Sequence, residues 1–156
     1  MKIYLSAPLF TQVERRWNRE LAGPLEDEIP DATVLLPQDI KIHGAFNRPE
    51  NFQHIYERCI EMLEESDLMV AILDGPDVDS GVSFEMGYAR ARAMPVVGVR
   101  TDYRESQDRG LNIVLAQGCT ELLREMAFNE DPTQLVKDLS RKILLASKRQ
   151  PHQSSS

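Results

Sequence analysis

Two cysteines in 156 residues, Cys59 and Cys119, are too few and too far apart for a disulfide framework or a paired thiol motif. A reducing cytoplasm is the expected home. Histidine is equally sparse, and His43, His54 and His152 show no metal-ligand spacing. Basic residues are in the minority: 18 Lys+Arg stand against 25 Asp+Glu, a formal net charge of −7. That balance argues against binding a nucleic acid polymer, which needs a basic face. No apolar run approaches the roughly 18 residues that a membrane span requires. The opening Met1–Ser6 goes straight into a strand-like pattern, too short for a secretory signal. There is no internal repeat and no glycine-rich loop able to cradle phosphate.

What remains is an ordinary globular composition, 42% hydrophobic and 28% charged, in a chain long enough for one domain with a real core. Strand-like runs alternate with helical periodicity. Residues 2–6 read as a strand. Thr11 can cap a helix over about 12–28, which Gly23-Pro24 is expected to kink or split. A short strand, 33–36, ends at Pro37, and a long polar loop runs from Gln38 to Pro49. The next helix, about 50–65, carries Phe52, Ile55, Tyr56, Cys59, Ile60 and Leu63 as an apolar stripe. Leu68–Leu73 and Pro95–Val99 are apolar strands, the second apolar on both faces and so central. Residues 101–110 form a charged loop, 111–117 a short helix and 120–123 an edge strand. Asp131-Pro132 opens a last helix with Leu135, Val136, Leu139, Ile143 and Leu144 on one face. Residues 150–156 are a polar tail expected to be disordered, leaving 1–149 as the domain. The pattern predicts an α/β fold: a single-domain, flavodoxin-like open sheet of about five mostly parallel strands with helices on both faces.

The most informative stretch is Ile72 to Ala89. An apolar strand ends in an acidic Gly/Pro turn, and the turn opens an amphipathic helix. The carboxyl edge of a parallel sheet is where ligands bind. Asp74, Asp77, Asp79 and Glu85 are expected to converge there, with Glu85 near the start of the helix, where the unpaired N–H groups favour the anion. A well-held carboxylate can act as a nucleophile. The same acidic cluster raises the question of a hard cation, but its spacing is not that of a calcium loop. Nor does the chain clearly offer the later lysine and acidic loops that a phosphatase aspartate pair needs.

The segment Asp79-Ser-Gly81-Val-Ser-Phe-Glu85-Met-Gly87-Tyr-Ala89 resembles the D-x-G-x-x-x-E-x-G-x-A signature of the nucleoside 2-deoxyribosyltransferase family. Three shorter stretches, Ile3–Phe10, Leu36–Asp39 and Gly110–Ile113, resemble other family segments in the same order. The resemblance implies that Glu85 is the nucleophile, attacking C1′ of a 2′-deoxyribonucleoside to form a glycosyl ester that a second nucleobase captures. The chemistry suits the residue: a carboxylate stabilises an oxocarbenium-like transition state and then bonds to it. A 2′-hydroxyl would destabilise that cation by electron withdrawal, which favours a deoxy sugar.

The resemblance further implies that Tyr4 orients Glu85 and that Asp79 binds the sugar hydroxyls, with Ser6 and Gly81 beside them. Phe10 would stack on the base and Gln38 hydrogen-bond its edge, Asp39 being a weaker candidate of that kind. Asn112 would be lent to the site of a neighbouring subunit, making the protein a homo-oligomer, a dimer or a ring of dimers. No metal or organic cofactor is implied. Each residue has a plainer reading too: Asp79 as a helix cap, Tyr4 as a half-buried strand residue, Phe10 as a core plug, Gln38 as a solvated loop residue. Cys59 stands where many relatives carry an acid that handles the leaving base's proton; a neutral thiol is a poor substitute, and Asp39 or Asp74 are the expected stand-ins. Related 5′-monophosphate hydrolases carry serine where Asp79 stands, and an aspartate there would repel a phosphate dianion. The expected substrates are therefore free 2′-deoxyribonucleosides and nucleobases. The alternatives are an N-glycosidase, in which water captures the same ester, and a catalytically silent nucleoside-binding module.

Overall fold

The computed structural model describes residues 1–105, 110–125 and 132–149. The tail 150–156, most of the end of the 101–110 loop and Asp131 lie outside the described residues.

The elements follow in strict alternation: β1 (Lys2–Ser6), α1 (Gln12–Glu28), β2 (Thr33–Leu35), α2 (Pro49–Glu64), β3 (Leu68–Ile72), α3 (Ser80–Ala91), β4 (Val96–Arg100), α4 (Ile113–Gly118), β5 (Glu121–Arg124) and α5 (Pro132–Lys148). A 3-10 turn, Pro37–Asp39, follows β2. All strands are parallel, in the order β2-β1-β3-β4-β5. This is the flavodoxin-like arrangement that the sequence pattern predicts, with β3 at the centre and every residue of β3 and β4 buried.

Side chains alternate across the sheet, and the alternation sorts the strands into two cores. Ile3, Leu5, Val70, Val97 and Val99 face α1 and α5. Tyr4, Met69, Ala71 and Val96 face α2, α3 and Leu111. Because Ser6 lies two residues after Tyr4, it shares Tyr4's side of the sheet. That parity points two polar side chains of β1 at the layer that carries Glu85.

Three expectations need correction. Helix α1 runs unbroken through Pro24. A proline inside a helix removes one hydrogen bond and strains the preceding turn, but Leu21, Ala22 and Leu25 are buried around it and hold the helix against the sheet. The stripe expected on α2 is only partly covered: Leu63 is fully buried, whereas Phe52 and Tyr56 are about half exposed. On α5, Leu144 is likewise exposed, and Ser140 and Ala146 are buried with Leu135, Val136, Leu139 and Ile143.

Candidate active site

The loop from β3 to α3 builds one wall. Gly75 adopts φ 107°, and a side chain there would meet the Asp77 carbonyl at 2.9 Å, so the chain can leave β3 this sharply only at glycine. The loop is stitched to the end of β4. Asp74 accepts from the Thr101 N–H (2.6 Å), the Thr101 hydroxyl (2.7 Å) and the Asp102 N–H (2.9 Å). Asp102 accepts from the Gly75 N–H (3.0 Å), and the Arg104 guanidinium beside it holds its carboxyl well below the usual carboxylate range. Buried Arg100 donates to the carbonyls of Leu73 and Gly75.

Asp79 is the N-cap of α3. Its Oδ1 accepts from the N–H groups of Gly81 (2.9 Å) and Val82 (3.1 Å), which places the carboxylate against the positive end of the helix. The second oxygen, Oδ2, is not used by the cap. A Cβ on Gly81, two residues after the cap, would lie 3.0 Å from Asp79 Oδ1, so a glycine there leaves the capping oxygen its room.

With Asp79 as cap, Glu85 is the sixth residue of α3. It stands in the second turn, beyond the first turn expected from the sequence, and the helix N-terminus is too far to hold its charge. Its anchors come from β1 instead. The Tyr4 hydroxyl donates to Oε1 at 2.7 Å. The Ser6 hydroxyl donates to Oε2. Burial pushes the Glu85 carboxyl above its ordinary value; the two hydroxyls pull it down, and the nearby Asp79 charge adds to the rise. Tyr4 is fully buried, and its phenol is pushed far up by burial and by the Glu85 charge, so it acts as a hydrogen-bond donor and not as a phenolate.

Cys59, on α2, completes the group. Its thiol lies beside the Tyr4 hydroxyl, and burial, then the Glu85 charge, pushes it up, leaving it neutral. Tyr4, Ser6, Cys59, Asp79 and Glu85 are thus brought together. Ser6, expected as a substrate-binding residue, is placed on the Glu85 carboxylate.

The other expected residues are placed elsewhere. Phe10 is 75% exposed in the loop leaving β1. Asn112 is exposed at the N-cap of α4, where its Oδ1 accepts from the Val114 N–H at 2.9 Å. With Asp77, Val78, Ser83 and Arg100 it lines a cleft of about 390 Å³. Gln38 is buried, and its side-chain amide is engaged on both atoms: Oε1 accepts from Asn18 (3.1 Å) and Nε2 donates to the Arg15 carbonyl (2.9 Å). Asp39 is paired with Arg19 at 2.6 Å. The four carboxylates of the β3–α3 segment do not act as one group: Asp74 serves the β4 loop, Asp77 lines the cleft, and Asp79 and Glu85 face the site. Neither Asp39 nor Asp74 is left free to replace the acid that Cys59 lacks. Among the described residues, no group of three or more His, Cys, Asp or Glu is placed to hold a metal ion, and no helix is long and apolar enough to cross a membrane.

Residues 3–142 match the family described as nucleoside 2-deoxyribosyltransferase. By sequence, the chain is 31% identical over 94 residues to an uncharacterised protein, UU063, of Ureaplasma parvum; the match covers 56% of this chain and 58% of that protein, so it spans little more than half the length of this relative. Among solved structures, a 2-deoxyribosyltransferase from Bacillus psychrosaccharolyticus superposes with a TM-score of 0.74 at 19% identity, covering 97% of this chain and 99% of that one. A CMP N-glycosidase from Clostridium botulinum superposes with a TM-score of 0.58 at 14% identity, covering 90% and 99%. At these identities both structures speak for the fold.

Proposed function

This chain belongs to the nucleoside 2-deoxyribosyltransferase family, and on that premise we propose that it exchanges the nucleobase of 2′-deoxyribonucleosides through a covalent ester on Glu85. Membership supports an enzyme that acts on nucleosides, as transferase or N-glycosidase. The observation that carries the finer reading is the Glu85 carboxylate held on both oxygens by hydroxyls of β1.

In this reading a Glu85 oxygen attacks C1′ as the C1′–N bond breaks, and the bonding pair leaves with the base. Fixing the carboxylate in one orientation removes entropy that the transition state would otherwise lose. Partial burial strips water from the nucleophile and keeps its charge close to the developing cation. The departing base takes up a proton from solvent; a second base then attacks C1′ through a ring nitrogen, gives that nitrogen's proton to solvent, and Glu85 departs as carboxylate. The Oδ2 of Asp79, which the cap does not use, is the acceptor for a sugar hydroxyl, the cap fixing its position and Gly81 giving it room. Phe10 supplies an aromatic face for the base. Asn112, exposed at the N-cap of α4, is lent to the site of a neighbouring subunit in a homo-oligomer. The neutral Cys59 adds no general acid, which favours bases that depart without side-chain protonation. No resident metal or cofactor takes part.

A second reading keeps every one of these groups and lets water capture the ester, as an N-glycosidase. The negative charge of Asp79 disfavours a 5′-phosphate in either case. Chromatography of 2′-deoxyinosine incubated with the protein, with and without adenine, separates the two. New 2′-deoxyadenosine that requires adenine and disappears in Glu85→Ala supports the transferase. Free hypoxanthine and deoxyribose without exchange support the hydrolase. A chain that binds nucleosides and turns over none of them is a silent binding module.

A further inference from the structure

A second buried polar cluster lies behind the loop that carries Phe10. Asn18, on α1, is 4% exposed, and its Nδ2 donates to the Pro8 carbonyl (3.0 Å) and to Gln38 Oε1 (3.1 Å). Gln38 Nε2 donates to the Arg15 carbonyl at 2.9 Å. The Arg15 guanidinium returns to the Gln38 carbonyl (2.8 Å) and reaches the Leu9 carbonyl (3.4 Å). The orientation of both amides is fixed. Two main-chain carbonyls, of Pro8 and Arg15, can only accept, so the atom facing each must be the nitrogen; the Gln38 oxygen is then left to face Asn18.

We propose that Gln38 does not read the base edge but is, with Asn18 and Arg15, the clamp that positions the Pro8-Leu9-Phe10 wall of the site. The three side chains tie the loop leaving β1 to the 3-10 turn leaving β2, across one turn of α1. Pro8 stands two residues after Ser6, which holds Glu85, and two before Phe10. A buried amide whose acceptor and one donor are already satisfied gains little from turning to a substrate, because turning gives up its bonds to Asn18 and to the Arg15 carbonyl inside the protein. Asn18 and Gln38 are positioning residues: they set how the loop meets any bound nucleoside, whatever its base. The catalytic half of this inference rests on the proposed site at Glu85; the clamp itself does not.

The test compares Asn18→Leu, Gln38→Leu and the double variant. Without ligand, hydrogen exchange at the Phe10, Thr11 and Asp39 amides should speed up at least several-fold in each, while Val70 and Val97 amides in the sheet keep their wild-type protection. In kinetics with 2′-deoxynucleosides of purine and pyrimidine bases, each variant should raise KM about fivefold to tenfold for every base alike, with kcat changed less, as expected for the loss of one or two buried hydrogen bonds. The double variant should be little worse than either single one. If Asn18→Leu does not fold, Gln38→Met keeps the volume, deletes the amide and supplies the same comparison. A Gln38 variant that changes the purine-to-pyrimidine ratio tenfold while Asn18→Leu leaves it untouched would make Gln38 a base reader and overturn the proposal. Unchanged loop exchange would also overturn it. Absence of any nucleoside turnover in the wild type would instead count against the site at Glu85, and the exchange measurement would still decide the clamp.

Discussion

The Tyr4 hydroxyl meets Glu85 Oε1 at 2.7 Å, joining the first strand to the second turn of α3 across 81 residues of chain. The contact sets the chemistry of the site, because it opposes the burial that pushes the Glu85 carboxyl up. Removing the hydroxyl should therefore raise that carboxyl further. In Tyr4→Phe the acid limb of the pH–rate profile should move to higher pH, and kcat should fall by about 10- to 100-fold, the usual worth of a hydrogen bond to a charged group. Profiles of wild type and variant over the acid and neutral range check both.

The same burial carries a stability cost. The Glu85 pKa is raised in the folded state, so its contribution is most favourable below the ordinary carboxylate value, where the group is neutral in both states. It is lost as pH rises through the folded value, because a charge must then be kept in a partly dry site. Glu85→Gln should abolish activity and raise Tm at neutral pH, with the gain shrinking as the pH is lowered past the ordinary carboxylate range. Thermal unfolding of both proteins at several pH values tests the sign.

Gly81→Ala should be costly despite its mildness. Its Cβ would sit 3.0 Å from Asp79 Oδ1 and press on the cap of α3. Weakening that cap should cost about 1 kcal/mol of stability, read by denaturant unfolding. Since the same carboxylate is proposed to hold the sugar, KM for nucleoside should rise along with it.

If Asn112 serves a neighbouring site, two inactive variants should rescue each other. Glu85→Ala and Asn112→Ala, mixed as equal amounts of subunits and allowed to reassort, place both lesions in one site of each mixed pair and none in the other. About a quarter of the sites should then regain full activity, given random pairing in a two-fold assembly. Mixtures that stay as inactive as their components would put Asn112 in the site of its own chain or outside any site.

Much of this architecture could be read from residue order. Apolar runs of strand length alternating with helical periodicity led to the parallel sheet, and the apolar-both-faces pattern of Val96–Val99 placed β4 inside it. The helix register was harder. Asp79 could be read as a cap from its residue type, but with the cap there Glu85 falls six residues later, in the second turn and not the first. Periodicity marks which face of a helix is apolar and not whether the chain covers it, so Phe52, Tyr56 and Leu144 were expected in the core and lie exposed. Asn18 was not legible at all: it looks like any polar residue on an amphipathic helix, and its partners, Pro8 and Gln38, come near it only in the folded chain. Gln38 was noticed for its amide, but the sequence does not reveal that the amide is already engaged.

The central claim is the bond between Glu85 and the sugar. The direct measurement is the intact mass of the protein quenched in acid during turnover of a 2′-deoxyribonucleoside, followed by peptide mapping. The account predicts a fraction of protein heavier by one 2′-deoxyribosyl group, mapped to Glu85, that is discharged by added nucleobase and never forms in Glu85→Ala. Steady turnover with no adduct at any quench time, or turnover that survives Glu85→Ala, would contradict it.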